Sequence, residues 1–183
     1  RYEAILAHVP QWGGSFEAMD RIVAGARLAN LSAARVRYLE YEAEMRKARY
    51  WHASSEDKTN AIAHYRQAAA LCPASQPWSA IGVAATRMKD WRTVLDATTQ
   101  ALSMNPKTSK DWQRRGWAHQ ELGQMDAAVR DYQAAADLGD MWSLKALADV
   151  YMFGRGVAKD LQRAKTLLEF AAARGDSNSR DLL

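Results

Sequence analysis

The sequence predicts an all-α protein, an α-solenoid of antiparallel helix pairs wound into a right-handed superhelix. Three observations predict it. Trp78 and Gly82 recur as Trp112 and Gly116, each displaced by 34 residues. Ala101 and Ala135 keep the same offset of 34. A period of that length, with an aromatic and a glycine in one helix and an alanine in the next, marks stacked helix–turn–helix units. Composition agrees: 48% hydrophobic and 25% charged residues is an ordinary soluble balance, and the four prolines fall outside the long periodic stretches. A chain of 183 residues can bury a continuous core without metals or disulfides.

The elements follow in order. Arg1–His8 reads as a helix end, broken by Val9-Pro10 and the turn-forming Gly13-Gly14. Ser15 is placed to cap a helix from about Phe16 to Leu28, with Phe16, Met19, Ile22, Val23 and Leu28 as one apolar stripe. Ser32 can cap a long helix to about Trp51. On it Arg35, Arg37, Arg46, Lys47 and Arg49 alternate with Glu40, Glu42 and Glu44. That mixture is a solvated face and argues against a nucleic-acid track. Ser54–Lys58 reads as a loop and Thr59–Leu71 as the partner helix, with Pro73 five residues after Ala68 as Pro106 is five after Ala101. Two further pairs are expected, Trp78–Met88 with Asp90–Met104 and Lys110–Leu122 with Met125–Leu138.

In the third pair Trp112, Gly116, Gly123, Ala128, Tyr132 and Ala135 resemble the tetratricopeptide pattern, in which small residues mark close helix approaches and aromatics fill the gaps between layers. The last unit has Leu147, Ala148 and Tyr151, then Gly154-Arg155-Gly156-Val157, Asp160, Ala164, Leu168 and Ala171-Ala172. It resembles a Sel-one-like repeat, a tetratricopeptide relative with a longer turn. Gly154 and Gly156 supply turn conformations closed to other residues, and Asp160 is placed to cap the helix that follows. No strand precedes this turn and no Gly-Lys-Ser/Thr follows it, which argues against a phosphate loop.

At the amino end Pro10, Trp12-Gly13-Gly14-Ser15 and Glu17-Ala18-Met19 are similar to the signature of a bacterial domain family of unknown function. That resemblance implies a bacterial source and helical repeats downstream. The expected organisation is a helical segment over 1–53, tetratricopeptide-like repeats over 54–138, and a Sel-one-like repeat with a terminal helix over 139–183. An uncapped carboxy end, partly covered by Leu182 and Leu183, would allow self-association.

No catalytic constellation is expected. His8, His52, His64 and His119 show no metal-ligand spacing, Cys72 stands alone, and no cofactor motif occurs. Glu40 and Glu44 share a face but are flanked by arginines, which reads as a salt-bridged surface and not an acid/base pair. Cys72 forbids an intramolecular disulfide. No stretch is long and apolar enough for a membrane span. No compartment is assigned; the bacterial cytoplasm is slightly favoured over the periplasm.

In tetratricopeptide arrays the first helix of each pair lines the concave groove. Placing Gly82, Gly116 and Ala148 in one slot puts Gln76, Ser79, Val83, Thr86 and Arg87 on that lining. Lys110, Gln113, Trp117, Gln120 and Glu121 follow, then Trp142, Lys145, Asp149 and Met152. The partner-binding set expected from this is Arg87, Lys110, Gln113, Trp117, Gln120, Trp142, Lys145, Asp149 and Met152, a mixture of aromatics, methionine and cations typical of interfaces. Trp117 is the sharpest member, because Trp112 already takes the core slot; packing on a neighbouring unit is its other reading. The lining lacks the asparagine pair of carboxylate-clamp repeats.

The expected function is non-catalytic: a bacterial protein-interaction module, in the concrete case an immunity or chaperone protein for a secreted toxin. The net charge of +4 suits an acidic partner surface. Two alternatives remain. One is an enzyme or small-ligand binder built around Trp12, Ser15 and His8. The other is an envelope or assembly scaffold that self-associates.

Overall fold

The structure is a computed structural model that describes residues 16–54 and 58–174. Among these residues there are nine α-helices and no strand: α1 Phe16–Leu28, α2 Ala33–Ser54, α3 Thr59–Leu71, α4 Ser75–Arg87, α5 Trp91–Met104, α6 Ser109–Glu121, α7 Met125–Asp137, α8 Met141–Phe153 and α9 Leu161–Ala173. The chain is an all-α repeat solenoid. It divides into two compact units, Arg1–Pro77 and Trp78–Leu183. The Trp12–Ser15 signature, His8 and the Leu182-Leu183 end lie outside the described residues.

Local chemistry sets the helix ends. The side chains of Asp90, Asp140 and Asp160 accept from the backbone N–H of Thr93, Ser143 and Arg163 at 3.2, 3.0 and 2.9 Å, capping α5, α8 and α9. Ser32 Oγ accepts from Arg35 N at 3.4 Å at the start of α2. Gly154 ends α8 in the left-handed region, with φ of 66°. Pro77 lies inside the first turn of α4, where backbone N–H groups have no intrahelical acceptor and a proline costs nothing.

In the first unit α2 packs on both α1 and α3. Met19, Met45, Ala48, Ala61, Tyr65 and Ala68 are buried there. The expected apolar stripe of α1 is corrected at Leu28, which is 88% exposed. Nine residues separate it from buried Met19, and nine steps of 100° place the two on opposite sides of the helix. Buried Ala26 takes its place.

In the second unit α5 packs on α6, α6 on α7, α7 on α8 and α8 on α9. The repeating glycines sit where one helix meets another. A Cβ on Gly82 would lie 3.0 Å from Thr98 Cγ2 of α5, and one on Gly116 would lie 2.7 Å from two ring carbons of Tyr132 on α7. A core of Tyr132, Leu144, Leu147, Tyr151, Leu168 and alanines runs through α7, α8 and α9. No described helix is long and apolar enough to cross a membrane.

Candidate functional site

Three tryptophans of the second unit stand in a row. Trp117 on α6 has its ring centroid 5.4 Å from Trp91 at the start of α5 and 6.1 Å from Trp142 on α8, with the planes inclined by 45° and 40°. Tyr132 packs against Trp142 at 5.5 Å, with the ring planes inclined by 68°. The strip is supported from below and open above: Tyr132 is fully buried, whereas Trp117 and Trp142 keep 37% and 39% of their surface. Trp117 therefore both packs on α5 and α8 and faces solvent. Its indole N–H donates to Glu121 Oε1 at 3.2 Å, and the Tyr132 hydroxyl donates to Gln120 Oε1 at 3.1 Å. Burial pushes the Tyr132 phenol well above its ordinary range, so it stays a neutral donor.

Ion pairs and hydrogen bonds also join the helices of the second unit. Lys110 Nζ donates to Asp140 Oδ1 at 2.6 Å, while the other oxygen of Asp140 accepts from the Ser143 hydroxyl and N–H. Arg115 grips Asp131 with two bonds of 2.8 Å and lies over the Trp112 ring at 4.6 Å. Asp111, 1% exposed, accepts from Ser79 Oγ at 2.6 Å and from Arg114 at 2.9 Å. Burial raises the Asp111 carboxyl, and the Ser79 bond and Arg114 charge oppose that rise; burial likewise lowers Arg114. Ser79 is thus committed to the contact between α4 and α6.

Of the expected partner-binding residues, Trp117 and Trp142 come together. Lys110 lies exposed beside buried Asp140, and Gln120 is fixed by Tyr132. Gln113 and Lys145 are part-buried, Arg87 and Asp149 are exposed, and Met152 packs part-buried against the α7–α9 core. Trp91 and Tyr132 were absent from that set, because slot alignment considers first helices only. One signal was available: Trp91, Trp117 and Trp142 follow at intervals of 26 and 25.

The first unit holds a cavity of about 530 Å³ bounded by Asp20, Val23, Arg27, Glu40, Glu44 and Leu71 among others. Its carboxylates are engaged. Arg27 donates to Glu40, Lys47 bridges Asp20 at 2.8 Å and Glu44 at 3.2 Å, and His64 Nδ1 meets Glu44 at 2.7 Å. Glu40 and Glu44 are salt-bridged by cations of α1 and α2, and Glu44 also meets the His64 imidazole of α3. Among the described residues no group of three His, Cys, Asp or Glu side chains could hold a metal ion.

Residues 112–138 match the tetratricopeptide repeat model. No curated protein matches. Among solved structures, the chain is similar to MamA from Desulfovibrio magneticus, at 16% identity over 96% of each chain with a TM-score of 0.63. It is similar to a Sel1 repeat protein from Oxalobacter formigenes at 20% identity, over 97% of this chain and 81% of that one, with a TM-score of 0.56. A third, YrrB, described as a TPR protein with an unusual peptide-binding site, is 15% identical over 89% of this chain and 81% of its own, with a TM-score of 0.57. In fold the chain is an all-α repeat solenoid similar to solved tetratricopeptide and Sel1 repeat structures, with residues 112–138 matching the tetratricopeptide repeat model.

Proposed function

We propose that this chain is a non-catalytic bacterial protein-interaction module that captures a protein partner along α6 and α8, serving as an immunity or chaperone protein for a secreted toxin. The observation that carries the reading is the pair of contiguous, solvent-facing indoles, Trp117 and Trp142. A tryptophan that is held rigid and still exposed contributes contact area at little entropic cost, the usual character of an interface hot spot. Arg87, Lys110, Gln113, Gln120, Lys145, Asp149 and Met152 would frame that contact. A net charge of +4 supports long-range attraction of an acidic partner. The bacterial sources of the Desulfovibrio and Oxalobacter structures support the bacterial assignment, and the peptide-binding site named for YrrB supports peptide capture on this fold.

Affinity capture from the native host with wild type, Trp117→Ala and Trp142→Ala tests the proposal. A specific partner should be retained by wild type and weakened by about 2 kcal/mol or more in either variant. Identical captured sets would remove α6 and α8 as the binding face. Self-association is a second reading, supported by the exposure of Leu161 (59%) and Phe170 (45%) on α9. Sedimentation showing a monomer at every concentration would discard it.

A further inference from the structure

We infer that α1 is a salt-releasable strap, clipped to α2 by ion pairs and able to swing away about the turn at Asn30. The device lies wholly in the first unit and stands apart from the binding face proposed on α6 and α8. Packing argues first. α1 and α3 are both 13 residues long and both lie against α2. α3 buries Ala61, Ile62, Tyr65 and Ala68, whereas α1 buries Met19 and Ala26, a smaller apolar contribution. The cavity of about 530 Å³ takes Asp20, Val23, Ala24 and Arg27 from α1, with Ala43 of α2 and Leu71 of α3 also lining it. Space left between helices forfeits the dispersion contacts that hold a packed pair together. A helix of this length is marginal by itself in water. Gly25 weakens it further and gains no packing, since nothing lies within 4 Å of its Cβ site.

Charge argues second. Lys47 of α2 donates to Asp20 of α1 at 2.8 Å, and Arg27 of α1 pairs with Glu40 of α2. In each pair the α1 member keeps 63% of its side-chain surface, so water and dissolved ions reach it. Exposed pairs of this kind contribute little and are weakened by added salt. An apolar tie accompanies them: Phe16 lies edge-on to Tyr50 at 5.3 Å and packs near Trp51 at 6.2 Å. Screening leaves that contact alone, so salt acts on the ionic clips selectively.

The third argument is the hinge. α1 ends at Leu28 and α2 begins at Ala33. Between them Asn30 takes the left-handed conformation, with φ of 53°, and Leu31 N–H donates back to Ala26 O at 3.4 Å. A few loop residues of this kind can absorb the dihedral change of a swinging helix while α2 and α3 stay packed. Opening removes the α1 wall of the cavity and bares the flank of Trp51 against which Phe16 packs.

Hydrogen exchange of the full chain, read by mass spectrometry at roughly 50 and 500 mM sodium chloride, tests the strap. Amides of α1 should exchange about tenfold or more faster than those of α3 at either salt. Between the two salts α1 should quicken by about threefold, with α2 and α3 unchanged. Asp20→Asn combined with Glu40→Gln should give the fast rate already at low salt and abolish the salt response. Phe16→Ala should also speed α1 but keep the response, which separates ionic clips from apolar contact. Protection of α1 equal to that of α3 would overturn the inference, as would exchange indifferent to salt in the wild type. A salt response shared by α3 would overturn it too, because the whole unit would then be loosening.

Discussion

Glycine has opposite value at two positions of this chain. At Gly116 the helix packs so closely on α7 that an added Cβ would fall 2.7 Å from the ring of Tyr132, itself fully buried and unable to give way. Gly116→Ala is expected to cost about 1–3 kcal/mol, the range for overpacking a dense core. Gly25, inside α1, has nothing within 4 Å of the site of a Cβ, so alanine there relieves only backbone entropy. Gly25→Ala should stabilise by about 0.5–1 kcal/mol. Urea midpoints of the two variants check both signs at once; matching signs would refute the close α6–α7 packing.

Ion pairs join one element to the next in both units. On α2, burial alone would lower the Lys47 ammonium, but hydrogen bonds and charges from Asp20 and Glu44 outweigh it and raise the group above its ordinary value. A raised cation contributes stability in full below the unfolded lysine pKa of about 10.4. That contribution is lost as pH climbs through the higher folded value. Wild type should therefore lose stability through the alkaline range, and Lys47→Met, already lacking the tie between α1 and α2, should lose less. The difference in urea midpoint between the proteins, followed upward from pH 9, should shrink. Parallel curves would mean that Lys47 contributes nothing through its charge.

The element scale also shows what could be read ahead of the structure. The start and end of α3, the caps at Ser32 and Asp160, and the glycine turn after α8 were legible, because spacing and capping act over a few residues. Leu28 departs from the apolar stripe because rotation accumulates over the two and a half turns that separate it from Met19. Lys110 read as a cation offered to a partner. Its tie to Asp140, thirty residues away, depends on how one repeat seats on the next.

At the scale of the whole molecule, a solenoid couples each repeat chiefly to its neighbours. Leu147, fully buried in the α7–α9 core, tests that directly. Leu147→Ala should cost about 2–5 kcal/mol in that region. Amide exchange should quicken in α7, α8 and α9, with α2 and α3 keeping wild-type protection. Uniform loss along the chain would show cooperativity beyond nearest neighbours.

The sequence by itself determined the all-helical class, the repeat period and the small residues at close approaches, since each is written in spacings of a few to 34 residues. Only the tertiary structure decided that Trp91 and Tyr132 complete the strip begun by Trp117 and Trp142, and that the cations of α6 are spent on buried carboxylates. Periodicity determines which side of a helix is covered. What covers it depends on the relative placement of helices, which arises from packing summed over many residues and is carried by no single interval along the chain.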